Sequence, residues 1–281
     1  MTIYTDDAPE TETIYNVSNF NNTMEFDGEG MLIAIIYTGL DYTHEAFLTD
    51  PSCPALNKDT IDTFIASTCA NSLATNAKKD PLTADSVYIN AKIPFAYDYA
   101  NNDTDVMPKT ASNGYHGTHV ADIAAGNSPT FRGVAPNAQI AAMKVFSDSA
   151  SSATTSTILA TLCDAVIIDA DVINLSLGSV AGLSYAADEL TNQIYQAIED
   201  ANILVAASAG NSYNTAMGSN AGDFPVTENP DYGIVSSPST YEGVISVASA
   251  NSHIIEETYL KSDELSFTYI SAYNSFVCGR G

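Results

Sequence analysis

The residue in this chain best suited to moving a proton near neutral pH is His116. It opens the run Tyr115-His116-Gly117-Thr118-His119-Val120-Ala121-Asp122-Ile123-Ala124-Ala125-Gly126. An unperturbed imidazole titrates near pH 6.5, so it can take a proton and return it. The run is small and almost free of charge, which predicts a buried helix with His116 at its first turn and its ring facing a cleft. Three other runs end in residues that can share such a cleft. Gly30 to Ile36 leads into Tyr37-Thr38-Gly39, Val172-Ile173-Asn174-Leu175 into Ser176-Leu177-Gly178, and Ile203 to Ala207 into Ser208-Ala209-Gly210-Asn211. Each is short and apolar and reads as a fully buried parallel strand.

The elements that position these residues alternate along the chain. Gly133 to Phe146 is a turn feeding a strand, Ser149 to Thr155 a linker ending in helix-cap residues, and Ile158 to Ile168 a helix that turns into the Val172 strand. Leu190 to Ala201 places Leu190, Ile194, Ala197 and Ile198 at helical spacing, and strands are expected at Val244 to Ala248 and, more weakly, Phe267 to Ile270. Repeated strand-helix-strand units imply a three-layer α/β fold, with a mostly parallel central sheet and helices on both faces. In such a sheet chemistry gathers at the carboxyl ends of the strands, where Tyr37, Ser176 and Asn211 fall. Residues 1–29 are acidic and Asn-rich and read as an extended lead-in, and 30–281 as one domain.

Composition removes several classes of function. A net charge of −25 with nine Lys and Arg opposes binding to nucleic acid or an anionic membrane surface. The longest apolar run, Met31 to Tyr37, is far short of the roughly 18 to 20 residues of a membrane span. The amino terminus lacks the basic and apolar regions of a signal peptide. Cys53, Cys69, Cys163 and Cys278 have no C-x-x-C spacing and indicate neither a zinc site nor a disulfide framework, although Cys53 and Cys69 could close a loop.

Taken in order, the motifs closely resemble those of the subtilisin-like serine peptidases. That family runs Asp-Thr-Gly, His-Gly-Thr-His-Val-Ala-Gly, Ser-Leu-Gly, Ala-Gly-Asn and Gly-Thr-Ser-Met-Ala. Four of the five landmarks are present, the first altered to Tyr37-Thr38-Gly39, and the likeness extends through Leu40 to Phe47 and Gly133 to Phe146. The stretch at about 50–112 reads as a long insertion, and Ile93 to Tyr99 with Asn101 to Asp105 is similar to the larger, cell-envelope-associated members. The resemblance implies a serine endopeptidase that is extracellular or on the cell surface, acts on extended polypeptide and needs no cofactor for its chemistry. His116 takes the place of the general base and Asn211 that of the oxyanion donor. Ser176, Leu177, Gly178, Ser208, Ala209 and Gly210 take the places that pair with the peptide and form its primary pocket. Structural calcium is compatible with the acidic composition. Asp98, Asp103 and Asp105 offer oxygen donors in a loop, but without EF-hand spacing, and a solvated acidic loop is the plainer reading.

Three departures separate the chain from the family pattern. Tyr37 stands where the family has its catalytic aspartate, and a phenol neutral at pH 7 cannot offset an imidazolium. Asp41 is four residues on, past a glycine turn, where a carboxylate more often caps the following segment. Asp122 replaces a glycine of the family's helix, which predicts strain or local rearrangement. No Gly-Thr-Ser-Met-Ala follows Asn211, and Ser275 lacks the glycines and small residues of a strained nucleophile turn. In subtilisin, loss of the serine costs about 2 × 10⁶ in turnover and loss of the aspartate about 3 × 10⁴, so the absent serine decides activity. His44 reads as structural, His119 as an inward packing residue, and His253 lies outside every motif.

Three readings follow. The chain is the amino-terminal part of an endopeptidase whose export signal and serine segment lie outside it, or a pseudopeptidase that binds extended peptides, or a product without function. In the family the serine opens a helix that covers the sheet, so a chain ending before it is expected to expose apolar surface and aggregate.

Overall fold

The computed structural model describes residues 2–5, 26–66, 82–109, 114–149, 152–179, 189–211 and 234–248, and short strands between 258 and 276. In chain order the elements are β1 (Thr2–Thr5), β2 (Leu32–Tyr37), a 3-10 turn at Glu45–Phe47, α1 (Lys58–Ala66), α2 (Ala84–Val87), β3 (Phe95–Asp98), α3 (His116–Ala125), β4 (Gln139–Lys144), α4 (Thr155–Ile167), β5 (Val172–Leu175), α5 (Glu189–Asp200), β6 (Leu204–Ser208), β7 (Val244–Val247), β8 (Thr258–Ser262), β9 (Leu265–Thr268), β10 (Ser271–Ala272) and β11 (Ser275–Phe276). They fall into two compact units, Glu25–Ala248 and the pair Met1–Met24 with Ser249–Gly281.

The larger unit is built on a six-stranded sheet in the order β3-β4-β2-β5-β6-β7, parallel throughout. β2 lies inside it, in register with β4 from Leu32↔Gln139 to Tyr37↔Lys144 and with β5 from Ile33↔Val172 to Ile36↔Leu175. Side chains alternate across a strand, and that alternation builds the layers. Leu32, Ala34 and Ile36 join Leu159, Leu162 and Ala165 of α4 and Ile194 and Ile198 of α5 in one apolar cluster. Ile35 joins Ala121 and Ala125 of α3 in a second. This is the three-layer α/β arrangement with a parallel sheet that the alternating elements imply. In the smaller unit β1, β8 and β9 form an antiparallel sheet, and β10 pairs with β11.

The helices expected at 158–168 and 190–201 are α4 and α5, displaced by at most three residues. Thr154 caps α4 by accepting from the Thr157 amide at 3.2 Å, as the Ser/Thr linker before it suggests. Within the stretch read as an insertion, α1 runs from Lys58 to Ala66, and residues 67–81 lie outside the described residues. Cys53 and Cys163 carry free thiols, while Cys69 and Cys278 lie outside the described residues.

Asp122 leaves α3 continuous, so the expected rearrangement does not occur; the cost takes another form. Its Oδ1 is buried without a hydrogen-bond partner among the described residues. Burial pushes the carboxyl above the ordinary Asp value, against the pull of His44 and His119. A carboxyl raised in the folded state penalises folding when ionised, and the penalty disappears as pH falls below the unfolded value near 3.9. Asp122→Ala, which keeps helix propensity, is therefore expected to stabilise the protein by up to about 1 kcal/mol at pH 7. Thermal melts from pH 7 to pH 4 check this, and the advantage must shrink on acidification.

Candidate active site

The carboxyl end of β2 and the amino end of α3 are joined by two threonine hydroxyls. Buried Thr38 accepts from the Gly117 amide at 2.9 Å and donates to the Gly114 carbonyl at 3.0 Å. Thr118 accepts from the Asp41 amide at 2.9 Å. The first amides of a helix have no partner within it, and Tyr115 supplies no side-chain cap, so Thr38 fills that role from the neighbouring strand. The approach needs glycine at 117, because a Cβ there would lie 2.2 Å from the Gly39 carbonyl oxygen.

This join places His116 beside Tyr37. Their ring centroids are 4.8 Å apart at 53°, and Phe146 meets Tyr37 at 5.3 Å, edge-on. Tyr37 is held at its backbone too, accepting from the Val145 amide at 2.9 Å. Burial raises the phenol above its ordinary value. Burial, and then the neighbouring His119, lower the imidazole of His116 below 6.5. Both side chains are neutral at pH 7. A lowered imidazole binds its proton less readily than in the unfolded chain, so its contribution reduces stability as pH falls through and below 6.5.

His119 does not pack inward as expected. It is exposed, 6.3 Å from His116, because α3 turns that position away from the sheet. His44 caps the 3-10 turn, its Nδ1 accepting from the Ala46 amide at 3.3 Å. Asp41 accepts from the Thr43 amide and hydroxyl at 3.0 and 2.6 Å and is a local cap, as anticipated. His253 lies outside the described residues.

Tyr37 is also one wall of a cleft of about 590 Å³ at the strand tips. Ser176, Leu177, Gly178, Ser208, Gly210 and Asn211 line it as well. Ala209 is not among its walls; its amide donates to Val247 and its carbonyl accepts from Ser236, both at 2.8 Å. Gly210 has φ +98°, and a Cβ there would meet the Ser236 hydroxyl at 2.1 Å, which lets the two segments close together. The motifs missed Ser236, Ser237, Pro238 and Tyr241, which line it together with Phe146 and Tyr195. A turn-rich Ser-Ser-Pro-Ser run ahead of the last parallel strand was the one available signal.

Of the loop carboxylates read as solvated, with calcium the lesser alternative, Asp103 and Asp105 are exposed, but Asp98 is buried. The fully buried Asp98 carboxylate accepts from the Ala100 and Asn101 amides, each at 2.9 Å, from the Asn101 side chain at 3.0 Å and from Lys144 Nζ at 2.7 Å. Asp105 is taken up by the Met107 amide and Lys109, and Asp103 accepts from the Asp105 amide. Four donors, one of them an ammonium, satisfy the oxygens that calcium would need. Among the described residues no cluster of three His, Cys, Asp or Glu is placed to hold a metal. Lys144, in register with Tyr37, pairs with both Asp98 and Asp148. Burial alone would lower it, and the two carboxylates raise it instead.

Among the described residues no serine hydroxyl bonds to His116; Ser176 Oγ donates to Asn174 at 2.9 Å. Ser275 begins a two-residue antiparallel strand and opens no helix.

A parallel α/β sheet with a histidine-led helix beside its central strand tip defines a subtilisin-type peptidase scaffold. The model of the Subtilase family matches residues 28–276, and the chain belongs to that family. The PI-type proteinase of Lactococcus lactis subsp. cremoris is 31% identical over 272 residues, covering 92% of this chain and 13% of that protein. The C5a peptidase of Streptococcus pyogenes serotype M1 is 30% identical over 233 residues, 79% of this chain and 18% of its own length. Among solved structures, an S41 psychrophilic protease gives a TM-score of 0.47 at 21% identity, over 84% of this chain and 60% of its own.

Thr38→Val keeps shape but strips partners from the Gly117 amide and the Gly114 carbonyl. The expected cost is about 2 kcal/mol in chemical denaturation, with loss of close contacts between the Tyr37 and His116 rings by NMR. An unchanged denaturation midpoint would contradict the role assigned to Thr38.

Proposed function

We propose that these residues form the peptide-recognition side of a serine-type endopeptidase cleft, extracellular or at the cell surface, and that by themselves they bind extended polypeptide without hydrolysing it. The observation that carries this reading is the 4.8 Å ring contact between Tyr37 and His116 at the place of the family's base and its carboxylate. A general base in acyl transfer must become an imidazolium, and that charge needs a compensating anion. Here burial favours the neutral ring, and the partner is a neutral phenol. Asn211 at the cleft supports an oxyanion-facing amide, and the Ser176–Gly178 segment supports strand-like pairing with a peptide backbone. Binding of this kind draws on N–H donors and apolar walls and requires no cofactor. Among the described residues no helix is long and apolar enough to cross a membrane.

A second reading, an active endopeptidase that draws its serine from further sequence, is favoured by one fact. The chain spans 13% to 18% of the lengths of the proteinase and peptidase it matches.

The binding reading predicts micromolar or tighter capture of extended peptides by calorimetry, unchanged in His116→Ala, with no cleavage and no labelling by a fluorophosphonate probe. Tyr37→Asp alone should also give no cleavage. Covalent labelling of a serine, or hydrolysis abolished by His116→Ala, would overturn it in favour of the active enzyme.

A further inference from the structure

We infer that His116 and His119 together form a two-imidazole site for a divalent transition-metal ion, zinc or copper, at the first turn of α3. The inference rests on where the helix turns His119 and needs neither a bound peptide nor a serine.

Residues three apart on a helix are neighbours on its surface. His116 and His119 are such a pair, both exposed, with ring centroids 6.3 Å apart and edge-on at 69°. An imidazole nitrogen bonds zinc at about 2.0–2.1 Å, which puts the ring centre about 3.2 Å from the ion. Two rings sharing a tetrahedral ion then stand about 5 Å apart, and two rings in line about 6.4 Å. The observed spacing lies at the outer limit, and turning the exposed side chains inward by about 1 Å reaches the tetrahedral value.

Three further features favour a cation there. At pH 7 the His116 ring is neutral, lowered first by burial and then by the charge of His119, so its lone pair is open to a metal. Asp122, three residues beyond His119, is raised by burial and pulled back by the charges of His44 and His119. A positive ion held at His119 is drawn by the same carboxylate. The net charge of −25 adds to the attraction. Against it stands the positive end of the α3 dipole, an effect of about 2- to 5-fold in affinity at a helix start. Two bonds from imidazole nitrogen to metal outweigh that.

The donor set selects the ion. Imidazole suits zinc and copper, whereas calcium and magnesium take oxygen ligands. Among the described residues no group of three His, Cys, Asp or Glu is placed to hold a metal, so water fills the remaining positions. The site is therefore weak and exchangeable, with a dissociation constant of about 10 to 100 µM. An ion on His116 occupies the lone pair that a general base uses, so metal binding and proton transfer at that ring exclude each other.

The test titrates zinc, copper(II) and calcium chlorides into the 281-residue chain by calorimetry, with imidazole signals followed by NMR for zinc and calcium. One equivalent of zinc should shift the ring signals of His116 and His119 together and leave those of His44 in place. Copper should bind more tightly than zinc, and calcium should move neither ring. His116→Ala and His119→Ala should each weaken zinc by about 10-fold or more. Unchanged zinc affinity in His119→Ala, a shift confined to one of the two rings, or no binding at about 1 mM zinc would overturn the site. Copper no tighter than zinc would overturn the assignment to imidazole nitrogens.

Discussion

Everything at the candidate site depends on the hydroxyl of Thr38. It is buried, it accepts from the amide that opens α3, and it donates to the carbonyl just before that helix. With Thr118, which accepts from the Asp41 amide, it ties the end of the central strand to the histidine-bearing helix. The bond does not involve position 37. The geometric part of the strand-end motif is therefore separable from its chemical part, and this chain keeps the first while changing the second. Thr38, Gly39, Gly117 and Thr118 preserve the join, and Tyr37 occupies the place where charge would act.

The electrostatic result is a neutral centre in a strongly acidic protein. The phenol is held above its usual titration range and the imidazole below its own, both first by burial. The nearest buried cation on the neighbouring strand, Lys144, is satisfied by two carboxylates and does not act on the ring pair. Asp122 shows the opposite case, an ionisable group in a small-residue helix with one oxygen lacking a partner. Ala121 and Ala125 of the same helix are buried and pack in the apolar cluster with Ile35.

The fold was legible because its central strands are buried on both faces and so read as continuous apolar runs. β5 and β6 fall within one residue of the runs that indicated them, and β2 within two. Site residues at strand tips were legible for the same reason: a parallel sheet brings its carboxyl ends together whatever loops intervene. What the sequence hid is what long-range packing decides. Ser236, Ser237 and Tyr241 enter the cleft through pairing with Ser179 and Ala209, which no local spacing announces. Asp98 looked like a free oxygen donor because its partner, Lys144, lies on a strand 46 residues away. His119 was placed inward by analogy, and the actual rotation of α3 leaves it in water.

The account is tested most directly by an NMR titration of the His116 ring in the unaltered chain, with contacts to the Tyr37 ring recorded in the same sample. It predicts an imidazole that titrates below 6.5 and shows cross-peaks to the tyrosine. An imidazole that titrates above 6.5, or one without contact to Tyr37, would contradict it.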